Sequence, residues 1–305
     1  MDPAPFDLAA YTRTAHGSHR AAIGDAAPLA ESERDLVRVL RDLEAGTMPY
    51  LRRVLVTPTH KDARVTAFLV TWSYERFWIA DALDALLAAS AGADAPAEPA
   101  TVPDAGSRSV VGRALRSMLA GPEVVAGHLV ALAASEAILR AAYARLASGA
   151  SDASAALYRR LDGVHARQEA FLLEEASARL GPAAGHGSTA GLDPAAGRDA
   201  SAGRDASAGR DASAGRDASA RSGAPADAAR AARRANRALR ADPLPIGIDD
   251  RIPTDAAGFV REVFPAGSSG VVGALAPVAA LPGIEPAAID AAASRLARLA
   301  EAARA

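Results

Sequence analysis

The sequence contains no cysteine, which removes disulfides, thiolate metal sites and cysteine nucleophiles together. A chain without any disulfide framework is expected in the cytoplasm. It also lacks an excess of charge of either sign: 34 basic residues face 36 acidic ones, for a formal net charge of −2. No global field draws it towards nucleic acid or acidic lipid. Long apolar runs are missing as well. The first twenty residues, MDPAPFDLAAYTRTAHGSHR, have no basic segment followed by an apolar stretch, so no secretory signal is expected. The run GVVGALAPVAALPGI near the C-terminus is too short for a membrane span and is broken by proline. Lysine is nearly absent, 33 arginines standing against a single lysine; with the abundance of alanine, this reflects base composition and weakens any helix assignment that rests on alanine alone.

Half of the residues are apolar, enough for a sizeable core. Residues 1–31 mix proline, glycine and polar residues without a period and are expected to form a flexible N-terminal tail. Four helical patterns follow over 32–181. The first starts at Ser32, with Asp35 three residues on, and carries Leu36, Leu40, Leu43, Leu51 and Val54, with Pro49 as a bend. The second starts near Thr59 and Asp62 and carries Val65, Leu69, Trp72, Ile79, Leu83 and Leu86. A Pro/Ala/Gly segment at 90–107 and a short helix RSVVGRALRSMLA form a long crossover. Pro122 opens the third helix, whose stripe is Val125, Leu129, Leu132, Leu139, Tyr143 and Leu146, and Gly149 ends it. The fourth runs from about Ser154 to Gly181, with Leu157, Leu161, Val164, Phe171 and Leu172. Links in the order short, long, short predict an all-α fold, a four-helix bundle of ferritin-like connectivity. Residues 182–224 hold four tandem GRDASA copies, too polar and glycine-rich to bury a core, and are expected to be a disordered linker. A helical C-terminal extension over 225–305 is expected to pack on the bundle.

Projecting each stripe on a 3.6-residue period shows which polar residues point inward. Glu44 lies at the edge of the first stripe, and Arg76 sits between Trp72 and Ile79 in the second. Glu136 falls between Leu132 and Leu139 in the third. In the fourth Gln168 is central, His165 flanks it, and Glu175 follows two turns on. All but Glu175 lie about halfway along their helices, so in an antiparallel bundle they meet at one depth.

This arrangement resembles the ferritin-like superfamily, in particular its di-iron carboxylate branch with the acyl-carrier-protein desaturase type of helix pattern. The resemblance covers 32–181, with ERFWIADAL similar to the family's second-helix segment and HARQEAF to its fourth. In that family two helices each give one Glu and the other two each give Glu-x-x-His. By resemblance Glu44 and Glu136 match the single glutamates. Arg76 and Ile79 stand where the first Glu and His belong, and His165 and Gln168 where the second pair belongs. Shifting the second helix by one residue offers Glu75 with Trp78, and the motif still fails. Two iron ions need several anionic oxygens and neutral imidazoles, and a guanidinium at a ligand position repels them. Arg76 can instead lie between Glu44 and Glu136 and replace the charge of the ions.

For Glu44, Arg76, Glu136, His165 and Gln168 the favoured reading is therefore an internal polar network with no metal and no cofactor, set against a pocket for a small ligand or an unusual metal. The aromatic group Phe68, Trp72, Tyr74, Phe77 and Trp78 reads as core packing rather than as the lining of an acyl cavity. His60, Lys61 and Asp62 read as helix-start residues, and His186 and Ser188 have no ordered acid to complete a triad. Arg233, Arg234, Arg237 and Arg240 form the one dense basic patch, a solvated helix face by default, since no aromatic is interleaved. The expectation is a non-catalytic protein that acts by binding or assembly. Its partner is an unspecified protein or small ligand, and self-association stays open. A di-iron or di-manganese oxidoreductase is the first alternative and a nucleic-acid-associated protein using the Arg-rich helix the second.

Overall fold

In a computed structural model, residues 4–23, 28–91, 121–181, 216–241 and 256–302 are described. Among them every regular element is helical, as the periodicity predicts, and the helices pack as a bundle. The crossover at 92–120 and residues 182–215 of the expected linker lie outside the described residues, as do His186 and Ser188.

The first predicted helix is two: α2 (Glu31–Ala45) and α3 (Thr47–Leu55), preceded by the short α1 (Leu8–Arg13). The break at Gly46 has a local cause. Pro49 has no amide to donate to the carbonyl of Ala45, four residues back, and its ring crowds that carbonyl. The start also differs from expectation, since Ala30 is the N-cap and Ser32 lies inside the first turn. Glu31 and Glu33, both in that turn, favour this start by facing the positive end of the helix dipole.

Helix α4 (Ala63–Ala91) begins where Asp62 Oδ1 accepts the amide of Val65 at 3.0 Å. Helix α5 (Glu123–Gly149) and α6 (Asp152–Leu180) are joined by a tight link in which Ser151 caps α6. These two make the most extensive contact in the protein. α5 is the central helix, buried around nearly its whole circumference, because α7 (Arg216–Ala241) covers the side that α6 leaves open. Gly127 makes this approach close: a Cβ there would stand 3.1 Å from Arg234 Cγ. α5 is long and apolar enough to cross a membrane, but 83% of its most apolar window is buried inside the protein, which marks a core helix.

α7 starts at Arg216, inside the last GRDASA copy, where the linker was expected to run on to 224. Its inner face is Ala231, Ala235, Asn236 and Leu239, all buried, while Arg233, Arg234, Arg237 and Arg240 are exposed. Asn236 ties the C-terminal pieces to it: its amide donates to Gly283 O at 2.8 Å, and its Oδ1 accepts from Glu285 N at 2.8 Å. Gly283, at φ 70°, adopts the left-handed conformation that this turn requires. The remaining helices, α8 (Ala256–Val263), α9 (Ser268–Ala274), α10 (Ala276–Ala279) and α11 (Pro286–Ala302), bring Phe259, Val260, Val271 and Leu296 into the core.

The N-terminal segment corrects the expectation of a loose tail. Tyr11 on α1 is buried, stacks on Phe68 at 5.5 Å, and donates to Glu75 Oε2 at 2.7 Å. Phe6 packs edge-on against Phe171 at 5.2 Å, and its amide donates to Glu174 at 2.6 Å. The stacked Phe68–Phe171 pair, 3.9 Å apart, is what the segment covers. A six-residue helix has too few turns to show a period, so the sequence pattern hides it. Tyr11→Ala is expected to destabilise the protein by about 3 kcal/mol in equilibrium denaturant unfolding, as for a buried aromatic truncation, whereas a solvated tail would show no change.

Candidate functional site

Four helices deliver side chains to one buried cluster. Arg76 from α4 is fully buried, with its Nε 2.7 Å from Glu44 Oε2 on α2. Its Nη1 stands 3.3 Å from Glu44 Oε1 and 3.6 Å from Glu136 Oε2 on α5. His165 on α6 bridges the same two carboxylates, with Nδ1 2.6 Å from Glu136 Oε2 and Nε2 3.2 Å from Glu44 Oε1. Trp72 Nε1 donates to Glu136 Oε1 at 2.8 Å, and Tyr143 OH to Glu44 Oε1 at 3.0 Å. Each carboxylate thus has a cation and a neutral donor. The Tyr143 ring stacks on His165 at 4.9 Å, and the guanidinium lies 5.5 Å from the Trp72 ring centre.

The charges of the cluster shift one another. Burial pulls the His165 pKa down, but Glu44 and Glu136 pull harder, and the net shift is upward. A protonated ring is also the form that donates to both carboxylates at once. Burial pushes Glu136 up, yet Arg76 and His165 hold it below the ordinary carboxylate range. Tyr143 is pushed well up by burial and by Glu44, so it stays a neutral donor. With the ring protonated, two carboxylates and two cations sum to zero. Arg76 Nη1, 2.9 Å from His165 Nδ1, stands at the point between Glu44, Glu136 and His165 that a bound cation would have to share. This donor set does not fit a di-metal centre. Among the described residues no group of three His, Asp or Glu side chains is disposed to hold a metal ion.

The predicted residues separate into two places. Glu44, Arg76, Glu136 and His165 meet; Gln168 does not join them. Its Nε2 donates to Glu75 Oε2 at 2.9 Å in a second cluster. Three residues on from His165, the Gln168 side chain is turned about 60° around the helix, which aims it past the first cluster. Glu75 also accepts from Tyr11 OH, from Arg167 Nη2 at 2.7 Å and from the amide of His16 at 2.9 Å. The N-terminal segment therefore completes this second site, with the His16 and His19 rings 5.9 Å apart. His19 is 1% exposed, and burial, then Arg160 and His16, lower its pKa to about 4.

The sequence offers Glu75 only as a shifted metal ligand, not as the centre of a second cluster, and Tyr143 as a donor and Trp72 as a polar partner are hidden because each lies on a stripe that reads as apolar. The aromatic group also divides. Phe68 and Trp72 are core, whereas Tyr74 and Phe77 point to solvent, against the expectation of packing. His60 and Asp62 serve the start of α4, through the Thr57 carbonyl and the Val65 amide. Glu175 binds Arg64 and Arg179 away from either cluster.

Comparison with protein-family models, with curated proteins and with solved structures gives no match.

Arg76→Met leaves two buried carboxylates facing one imidazolium, and unfolding free energy should fall by roughly 3–5 kcal/mol; a loss under about 1 kcal/mol would place the guanidinium in solvent. A second expectation concerns pH. His19 stays neutral inside the fold down to about pH 4, whereas the unfolded chain takes up its proton near the ordinary value. The stability it contributes is thus present above about pH 6.5 and is lost as pH falls towards 4. Denaturant unfolding at pH 7 and 4.5 should differ by about 2 kcal/mol more in the parent than in His19→Asn.

Proposed function

We propose that residues 32–181 form a ferritin-like four-helix bundle that carries out no redox chemistry and acts by binding or assembly. An arginine and a protonated histidine stand where the family holds its two metal ions. The observation that carries this reading is the position of Arg76. Its guanidinium is fully buried, reaches Glu44 at 2.7 Å and Glu136 at 3.6 Å, and comes from the helix that in the family supplies a carboxylate. Metal ligands bind at about 2.0–2.2 Å, and a fixed cation wedged among the same oxygens repels any ion brought that close.

The rest of the cluster agrees. Iron-binding histidines must be neutral to offer a lone pair, and His165 sits between two carboxylates that favour its charged form. The Glu-x-x-His spacing is missing on α4, where Ile79 is buried three residues after Arg76, and on α6, where Gln168 follows His165. Each carboxylate of the first cluster is held against Arg76 and His165. The exposed arginines of α7 are partly engaged, Arg240 with Glu285 and Arg230 with Asp227, and no geometry favours the nucleic-acid alternative.

Metal analysis tests the proposal directly. The purified full chain is expected to hold well under one iron or manganese per molecule, and its melting temperature should not move when Fe(II) or Mn(II) is added or a chelator is applied. About two tightly held metal ions per chain, with a chelator-sensitive melting temperature, would sink it.

A further inference from the structure

We infer that residues 4–23 form a pH-operated strap, which leaves the bundle when His19 takes up a proton and so uncovers the stacked Phe68–Phe171 pair. Two sets of anchors hold the strap down. In the first, Phe6 and Tyr11 pack on those two rings, and Arg64 Nη2 donates to Phe6 O at 3.0 Å. In the second, the His16 amide reaches Glu75 Oε1 at 2.9 Å, and Arg20 Nε reaches Asp81 Oδ2 at 2.8 Å. Glu75 and Asp81 both belong to α4, so the strap runs alongside that helix. His19 lies within the second set.

His19 is buried there, and neither of its ring nitrogens has a hydrogen-bond partner among the described residues. A neutral ring leaves one donor and one acceptor unmade, whereas a protonated ring strands two donors and a charge. The surroundings do not receive that charge. Facing the ring are Arg160 from α6, His16 from the strap itself and Glu75 from α4. The first two oppose a positive ring. Glu75 is acidic, but its two oxygens already take Tyr11 OH, Arg167 Nη2, Gln168 Nε2 and the His16 amide. An ionised carboxylate has about four lone-pair sites, so none is left over for His19.

The direction of the response follows from these neighbours. Burial, then Arg160 and His16, hold the docked ring at a pKa of about 4, against an ordinary 6.5. Above about pH 6.5 the ring is neutral whether docked or free. As pH falls towards 4, the undocked strap takes up the proton and gains population. The opening is local, because His19 stands between α1 and the short turn Arg20–Ala22 rather than in a long bundle helix; it reaches water when the strap alone moves. His128, whose pKa burial and then Arg234 also lower to about 4, differs in both respects. It lies within α5, and its Nδ1 is 2.9 Å from Thr59 Oγ1. None of this depends on the arginine–carboxylate cluster, so metal content and strap release are decided separately.

Hydrogen–deuterium exchange of the full chain at pH 7 and 4.5, corrected for the intrinsic pH dependence of amide exchange, tests the strap. The opening equilibrium of residues 4–23 should rise about fiftyfold between the two, given pKa values of about 4 docked and 6.5 free, while residues 123–149 stay protected. His19→Leu, neutral at every pH, should remove most of that rise. Arg160→Gln changes an exposed side chain and should shrink the rise by easing the charge on the docked ring. Equal protection over 4–23 at both pH values, a rise that persists in His19→Leu, or loss of protection over 4–23 and 123–149 together would each overturn the inference. Should the leucine loosen the strap at pH 7 already, an undiminished rise in Arg160→Gln overturns it instead.

Discussion

The Arg76 guanidinium is the charge around which the interior is arranged. Two carboxylates, Glu44 and Glu136, are fully removed from water on different helices, and burying a carboxylate without a partner is costly. Arg76 and His165 supply the opposing charges, and Trp72, Tyr143 and Thr47 fill further hydrogen-bonding positions around them. Such a set adds little to net stability compared with a well-packed apolar core. It does make separation of the helices expensive, since any displacement strands a charge. The register of α2, α4, α5 and α6 is thereby tied to a single arrangement.

One helix organises both polar sites. Glu75 and Arg76 are neighbours on α4, so their side chains leave the helix about 100° apart and enter different clusters. Arg76 faces the centre between α2, α5 and α6. Glu75 faces the gap between α4 and α6, where the N-terminal segment closes the site through Tyr11 and the amide of His16. Docking of that segment is thus a consequence of an uncovered buried carboxylate as much as of the aromatic stack of Tyr11 on Phe68 and Phe171. On the opposite side of the core the same logic is apolar: α5 has no polar face to offer solvent, so α7 and the C-terminal helices lie over it.

Much of this was legible before any coordinates. Helix ends expected at Asp62, Gly149 and Gly181 fall within a residue of those positions, and the projection that brings Glu44, Arg76, Glu136 and His165 inward needs only the helical period. What escaped is instructive. Gln168 was grouped with His165 because both lie near one face, but a 60° difference is enough to send an amide to another partner. Residues 4–23 escaped because a short helix, anchored through one tyrosine and one phenylalanine, leaves no repeat to detect. Tyr74 and Phe77 were assigned to the core because an aromatic residue on a helix is usually buried; their outward position follows from Leu69, Trp72, Arg76 and Ile79 already filling the inward face. Composition misled once more at 216–224, where an alanine-rich tail of a polar repeat continues as helix because α7 is anchored on α5 further along.

A metal centre and an arginine–carboxylate cluster differ in one physical respect that bears on what the protein can do. Metal ions exchange ligands, accept water and change charge, so a site built on them can take in a substrate without breaking the fold. A guanidinium is part of the chain, keeps its proton at every relevant pH, and cannot leave without taking α4 with it. Glu44, Glu136 and His165 are therefore occupied permanently, and the interior that would host chemistry becomes a fixed strut. The surface nearest that strut is the other side of the same helix. Arg76 pins α4 from within while Val70, Tyr74 and Phe77 face outward from it, so the buried charges hold that row of side chains in place.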